Sequence, residues 1–324
     1  MKYILTRNEE VRKFYEKTRK NLIVRLTKPT KIPFDGTLVV DLPGPMVKVS
    51  GSFKGRISLS ELPEEVASVV EEGDIIVIGD SKVVLRVRGS EAEVIVPGEV
   101  KDEQIHVIGK DLPISGPTEE DKIMAEIARE LDAHAVLISM VRSADDVRRY
   151  SSIIPKNALR IAKIETIGAI RDLERILEIA DAAILARGDL ELNAYPEELY
   201  LYKRRLASVA SSLGKPYFAG TGYLKSLIGR YLPERCEIDD IGLAFDLGYD
   251  AILLTKESSE KAAMRFERIV DKLAKRAHLA EASSFEEALR LSLEAKRKKV
   301  VEAIRFVGDE REAKKAYLLR GVTL

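Results

Sequence analysis

Apolar residues in this chain recur in two patterns, and the alternation between them maps the elements. Short dense runs, LIVRL at 22–26, TLVVDL at 37–42, AVLISM at 135–140, RIAKIE at 160–165 and AAILA at 182–186, are too short for helices. They read as strands buried on both faces, as in parallel sheets. Similar runs at 3–6, 216–221 and 251–255 bring the set to eight. Between them lie charged segments with apolar residues three and four apart, at 9–19, 118–131, 144–154, 169–179, 196–213 and 238–247, which predict helices. Thr118-Glu-Glu-Asp121 has the form of a capping box opening one of them. Eight strands alternating with helices predict an α/β TIM (β/α)8 barrel. Only about ten residues, with Pro29, Pro33 and Gly36, separate the second run from the third. That is short for a helical crossover, so one barrel helix is expected to be missing there.

The texture changes between about 50 and 109. DIIVIGD, KVVLRVRG, AEVIVPG and QIHVIG alternate at period two and are punctuated by Gly-Asp, Gly-Ser and Pro-Gly, which predicts a small antiparallel β domain inserted after the third barrel strand. From Ser258 onward the pattern is helical and strongly charged, with no further βα unit expected. The predicted organisation is barrel over 1–50, inserted β domain over 51–111, barrel over 112–279 and a helical C-terminal tail over 280–324. The tail has two roles open to it, packing on the barrel or self-association into a homo-oligomer.

Composition narrows the function classes. Among 324 residues, 53 Lys and Arg balance 53 Asp and Glu, which argues against nucleic acid as the main partner. No apolar run approaches the ~18 residues of a membrane span, and MKYILTRNEEVRK lacks a signal-peptide core, so a soluble, cytoplasmic protein is expected. One cysteine, Cys236, leaves no disulfide framework. Gln104 is the only glutamine and there are four asparagines beside 33% charged residues, a balance expected of a thermophile's protein.

The candidate chemistry lies in RIAKIETIGAIRDLERILEIADAAILARGDL, residues 160–190. Both of its strands end in charge where they emerge from the core, one at Lys163 and Glu165 and the other at Arg187, Gly188 and Asp189, which are expected to begin a loop leading to the helix after Pro196. The carboxyl ends of parallel strands face the ligand site. Lys163 and Glu165, two apart, point to the same side, into the barrel. Two carboxylates and a lysine suit a divalent cation with a phosphorylated or enolic substrate; a buried structural ion pair is the alternative. His106, His134 and His278 have no partner at metal-binding spacing and read as structural or surface residues.

KIET-x-GA, ARGDL, GKPYFAGTGYL and DIGLAFDLGYDAILLTKES, in that order, resemble the catalytic half of the pyruvate kinase family over about residues 112–266. The resemblance implies that Glu165 and Asp189 hold Mg²⁺ or Mn²⁺, and that Lys163 steadies the transferring phosphoryl group and the enolate. It implies that Arg187, Gly188 and Asp189, with Thr221, hold the substrate carboxylate, and that Thr221 takes part in protonating the enolate. Ser139, Thr255 and Glu257 match further family positions. In the N-terminal part Arg25 matches an arginine that contacts the phosphoryl group, Asp41 a ligand of the monovalent cation, and Lys48 an arginine on the nucleotide phosphates. The other cation ligands are replaced, by Thr27, Pro29 and Leu42, so the K⁺ implied by the resemblance rests on Asp41 alone, with Lys28 or Lys48 the alternative source of its charge. Thr30 stands at a nucleotide-side histidine. Phosphoenolpyruvate or pyruvate and ADP or ATP are the implied small-molecule partners, the inserted β domain is the implied lid, and the family's regulatory C-terminal domain is expected to be absent. Three readings stay open: phosphoryl transfer to ADP, metal-assisted enolate chemistry on 2-oxo acids without ADP, and a non-catalytic relative that binds metabolites or a partner.

Overall fold

Alternation within the short apolar runs decides which side chains fill the barrel and which face the helices. The computed structural model describes residues 4–6, 22–26 and 37–253, then 262, 264–266, 268, 269, 272, 278–282, 302–306 and 322–323. The barrel opens with β1 (Ile4–Thr6), β2 (Leu22–Leu26) and β3 (Thr37–Leu42). On β3, Leu38, Val40 and Leu42 join the layer under the helices, while Val39 joins the barrel interior. Asp41 shares the inward parity of Val39.

The chain then leaves the barrel for β4 (Lys48–Phe53), β5 (Arg56–Ser58), α1 (Glu64–Ala67), β6 (Ile75–Ile78), β7 (Val83–Arg88), β8 (Glu91–Val96) and β9 (Gly98–Val107). These six strands form one antiparallel sheet in the order β4-β9-β6-β7-β8-β5. Its apolar face closes over its own core, which includes Ile76, Ile78, Val83 and Leu85. The expected inserted β unit is therefore present after the third barrel strand.

The barrel resumes through α2 (Glu119–Glu130), β10 (Ala135–Ile138), α3 (Ala144–Ser151), β11 (Leu159–Ile164), α4 (Ile167–Arg171), α5 (Leu173–Ile179), β12 (Ala182–Ala186), α6 (Arg187–Asn193), α7 (Leu199–Ser212), β13 (Tyr217–Gly220), α8 (Arg235–Asp246) and β14 (Ala251–Leu253). The eight barrel strands close in the order β1-β14-β13-β12-β11-β10-β3-β2, every pair parallel. Leu137, Ile161, Ile184 and Phe218 fill the interior with Val39. Ile138, Ile164 and Leu185 face the helices. Truncating a buried residue in either layer to alanine costs about 2–5 kcal/mol. Thr118 caps α2 as predicted, its hydroxyl accepting from Asp121 N while the Asp121 carboxylate accepts from Thr118 N.

Three expectations are corrected. The helix expected over 169–179 is two, because the chain breaks at Asp172, whose carboxylate accepts from Ala144 N at 2.8 Å. Arg187–Asp189 is the first turn of α6 rather than a loop: the chain coils directly after β12 and buries Leu190 and Leu192. The C-terminal tail is not helical throughout. It contains β15 (His278–Ala282), β16 (Glu302–Phe306) and β17 (Val322–Thr323) in a parallel sheet. HLAEA and EAIRF are short alternating runs that the charged surroundings concealed. The helix expected at 9–19 and the segment between β2 and β3 lie outside the described residues. Among the described residues no helix is long and apolar enough to cross a membrane.

Candidate active site

Inward parity continued past the apolar core brings charge to the carboxyl ends of three neighbouring strands. Asp41 ends β3, Ser139 follows β10, and Lys163 with Glu165 ends β11. The Lys163 ammonium donates to Ser139 Oγ at 2.8 Å, lies 3.1 Å from Glu165 Oε2 and 4.0 Å from Asp41 Oδ1. Ser139 Oγ in turn donates to Asp41 Oδ1 at 3.2 Å. All four residues are buried, so the ammonium is offset by two carboxylates and a hydroxyl where water is scarce.

Glu165 is held by backbone as well. Its Oε1 accepts from Met140 N at 2.6 Å, and Met140 takes the left-handed conformation, φ 54°. Its carbonyl accepts from Asn193 Nδ2 at 3.0 Å. Next in the chain, Thr166 caps α4 by accepting from Ala169 N at 3.0 Å and donates to Val141 O at 2.7 Å. Glu165 Oε2 is buried and faces the Lys163 ammonium in the 3.1 Å ion pair. Burial pushes the Glu165 carboxyl up to about 7; Lys163 pulls it down and Asp189 pushes it further up. Two mutually repelling carboxylates, one of them stripped of water by burial, fit a hard divalent cation that takes its remaining ligands from substrate and water. Among the described residues no group of three or more His, Cys, Asp or Glu is arranged to hold a metal by itself.

Across the barrel mouth, Gly188 in the first turn of α6 packs on Thr221 at the end of β13. A Cβ at Gly188 would lie 3.1 Å from Thr221 Cγ2, so the turn approaches this closely because the residue is glycine. Thr221 has φ 66°. The Arg187 guanidinium donates to Gly220 O at 3.0 Å, to Thr221 O and to the Asp240 carboxylate, and stacks 4.0 Å from the centre of the Tyr223 ring. Lys203 bonds the other Asp240 oxygen.

Among the sequence-predicted residues, the structure brings Asp41, Ser139, Lys163 and Glu165 into contact. Asp189 couples electrostatically to Glu165, and Thr221 touches the turn that carries Asp189. Lys48 stands on β4 of the inserted sheet and donates to Asp102 at 3.2 Å. Arg25 is in register with Val39 on the neighbouring strand, and its side chain lies outside the described residues. So do Thr27, Lys28, Pro29, Thr30, Thr255 and Glu257. Sequence reasoning missed Asn193, Asp240 and the placement of His106. His106 is buried on β9, with Nδ1 2.8 Å from Asn193 Oδ1, and so joins the inserted sheet to the residue that bonds the Glu165 carbonyl. An amide in the apolar turn LELNAY was the available signal for Asn193; nothing local marked Asp240.

A family model described as pyruvate kinase, barrel domain, matches residues 53–265. Pyruvate kinase of Pyrobaculum aerophilum is 31% identical over 256 residues, covering 68% of this chain and 54% of the relative. That of Thermotoga maritima is 30% identical over 231 residues, covering 68% and 49%. One from Agrobacterium vitis is 29% identical over 252 residues, covering 69% and 53%. The chain thus spans about half the length of the curated relatives it matches. The crystal structure of pyruvate kinase from Pyrobaculum aerophilum superposes with a TM-score of 0.83 at 21% identity, covering 100% of this chain and 90% of the other, which shows the shared fold.

Proposed function

Because the chain belongs to the pyruvate kinase family, we propose that it transfers the phosphoryl group of phosphoenolpyruvate to ADP, giving pyruvate and ATP. The observation that carries the reading is the Lys163 ammonium, fixed at the barrel mouth by Ser139 and Glu165 at 2.8 and 3.1 Å. Phosphoryl transfer needs positioning and charge stabilisation more than covalent chemistry, and a preorganised cation in a dry site supplies both. Glu165 and Asp189 are the residues to hold Mg²⁺ or Mn²⁺, which when bound supplies charge neutralisation at substrate oxygens. Lys163 offsets the charge that develops on the transferring group and on the enolate oxygen, with Arg25 on the phosphoryl side. The backbone of the Arg187–Asp189 turn and the Thr221 hydroxyl orient the substrate carboxylate, and Thr221 delivers a proton to the enolate carbon. The inserted sheet acts as the lid that excludes water, with Lys48 on its nucleotide side. K⁺ is left out of the reading: Asp41 already faces Lys163 and Ser139.

Lys48 stands where the family has an arginine and offers a point charge instead of a fork, which favours a second reading in which enolate chemistry persists without ADP. One assay separates the two. Pyruvate and ATP are measured from phosphoenolpyruvate, ADP and Mg²⁺, beside Lys163→Met and Asp189→Asn. Equimolar ATP and pyruvate in the wild type, reduced about 100-fold or more in both variants, is the expected result. No ATP from folded protein overturns the kinase reading and leaves the enolate one.

A further inference from the structure

We infer that Arg187 is a positioning residue, clamped by Asp240, that sets the geometry of Thr221 rather than holding substrate with its guanidinium. The role of Thr221 itself rests on the function proposed above; the clamp does not.

A threonine at φ 66° is unusual, because a β-branched side chain crowds the backbone in the left-handed region. Gly222 at φ 82° and Leu224 at φ 55° continue the same tight path out of β13. Such a conformation persists only where its surroundings enforce it. Here the enforcement is visible. One guanidinium bridges two successive carbonyls, taking Gly220 O on Nε and Thr221 O on Nη2. Its third nitrogen is tied to Asp240, and its flat face rests on the buried Tyr223 ring, from the segment Thr221 leads into. Asp240 is anchored in turn by Lys203. On the other side the Thr221 methyl meets the Gly188 backbone. The Thr221 carbonyl is thus held by Arg187 and the Thr221 side chain lies against the Gly188 turn, so the backbone that carries the hydroxyl is fixed from both.

The same bonds argue against a substrate role for the guanidinium. All three of its nitrogens are committed to protein acceptors, and its side chain is 14% exposed. Turning it toward a ligand would release two carbonyls and leave Asp240 with Lys203 alone. A fork is needed because a lysine ammonium offers no rigid geometry spanning adjacent carbonyls.

The test uses Asp240→Asn and Arg187→Lys, both close in shape to the native residue, with the full chain. Steady-state phosphoryl transfer is expected to show kcat lowered about tenfold in Asp240→Asn and further in Arg187→Lys, with KM for phosphoenolpyruvate within about twofold of wild type. A raised KM with retained kcat in Arg187→Lys would mean a substrate ligand and overturn the inference, as would wild-type kinetics in Asp240→Asn. Threonine methyl NMR provides the arm that needs no activity, with the Thr221 signal assigned by its loss in Thr221→Ser. In Asp240→Asn the Thr221 methyl is expected to shift while that of Thr166, at another strand end, stays in place. An unmoved Thr221 signal overturns the clamp even if the wild type proves to have no kinase activity. A shifted signal in a protein without that activity upholds the clamp and removes only the functional reading.

Discussion

Glu165 is 1% exposed, and loss of hydration, more than either charged neighbour, raises its carboxyl to about 7. The metal-free protein therefore keeps a proton on Glu165 below that value, whereas a divalent cation takes the ionised form. The sign follows for the proposed metal site: Mg²⁺ is expected to release protons on binding at about pH 6 and few at about pH 8, with affinity weakening as pH falls through the raised value. Calorimetric titration in buffers of different ionisation heat checks this, and Glu165→Gln should abolish the proton release. Lys163, Glu165 and Asp189 were legible in the sequence, since charge that ends an apolar run has few places to go except the strand end. Asn193 was not. A single amide gives no sign of whether it faces solvent or bonds a carbonyl 28 residues away.

At the scale of elements, Asp121 shows how one helix start anchors the route into the inserted sheet. Its Oδ2 accepts from Thr118 N, Thr118 Oγ1 and the Tyr150 hydroxyl at 2.7–2.8 Å, and its Oδ1 accepts from Gly44 N at 2.9 Å. Gly44 is in the left-handed conformation, φ 76°, and a Cβ there would lie 2.7 Å from Ser139 O, so neither the path nor the contact admits a side chain. Asp121→Ala strands several buried donors at once and is expected to cost about 3 kcal/mol, read as a lowered urea midpoint. The capping box was legible because Thr118 and Asp121 are neighbours on one turn. Its further use, holding Gly44 from 77 residues away, belongs to the fold. The split of the helix at Asp172 was likewise hidden, because the apolar spacing runs on through the break while the Asp172 carboxylate serves another helix, at Ala144.

Across the whole molecule the inserted sheet has a core of its own and meets the barrel partly through His106 and Asn193. Burial lowers the His106 pKa from its ordinary 6.5, with the Asn193 bond and the more distant Asp189 and Asp80 opposing. The sign is worked out from that direction: the docked state favours the neutral ring, so its contribution is present above 6.5 and is lost as pH falls below it toward the lowered value. Hydrogen exchange of the β4 and β9 amides, corrected for intrinsic rates, should lose protection relative to the barrel strands as pH drops below that value. His106→Gln, neutral throughout, should flatten this dependence; equal pH dependence in wild type and variant would refute the docking role.

What the sequence determined by itself was everything with a short period. Alternation in TLVVDL, RIAKIE and AAILA places Asp41, Lys163 and Glu165 on the inward side, and the repeat of strand and helix leads to a barrel, because each strand can bury both faces only between an interior and a ring of helices. Tertiary structure decided the partners. Asp41 and Ser139 are 98 residues apart, His106 and Asn193 are 87 apart, and Arg187 and Asp240 are 53 apart. Closure of the barrel and the seating of the inserted sheet set those meetings. It also decided the form of the C-terminal segment, where short strands hidden among charged residues pair with one another in a parallel sheet. The physical reason is range: side-chain direction follows from the backbone within two or four residues, whereas a buried donor finds its acceptor only after distant chain has been packed against it.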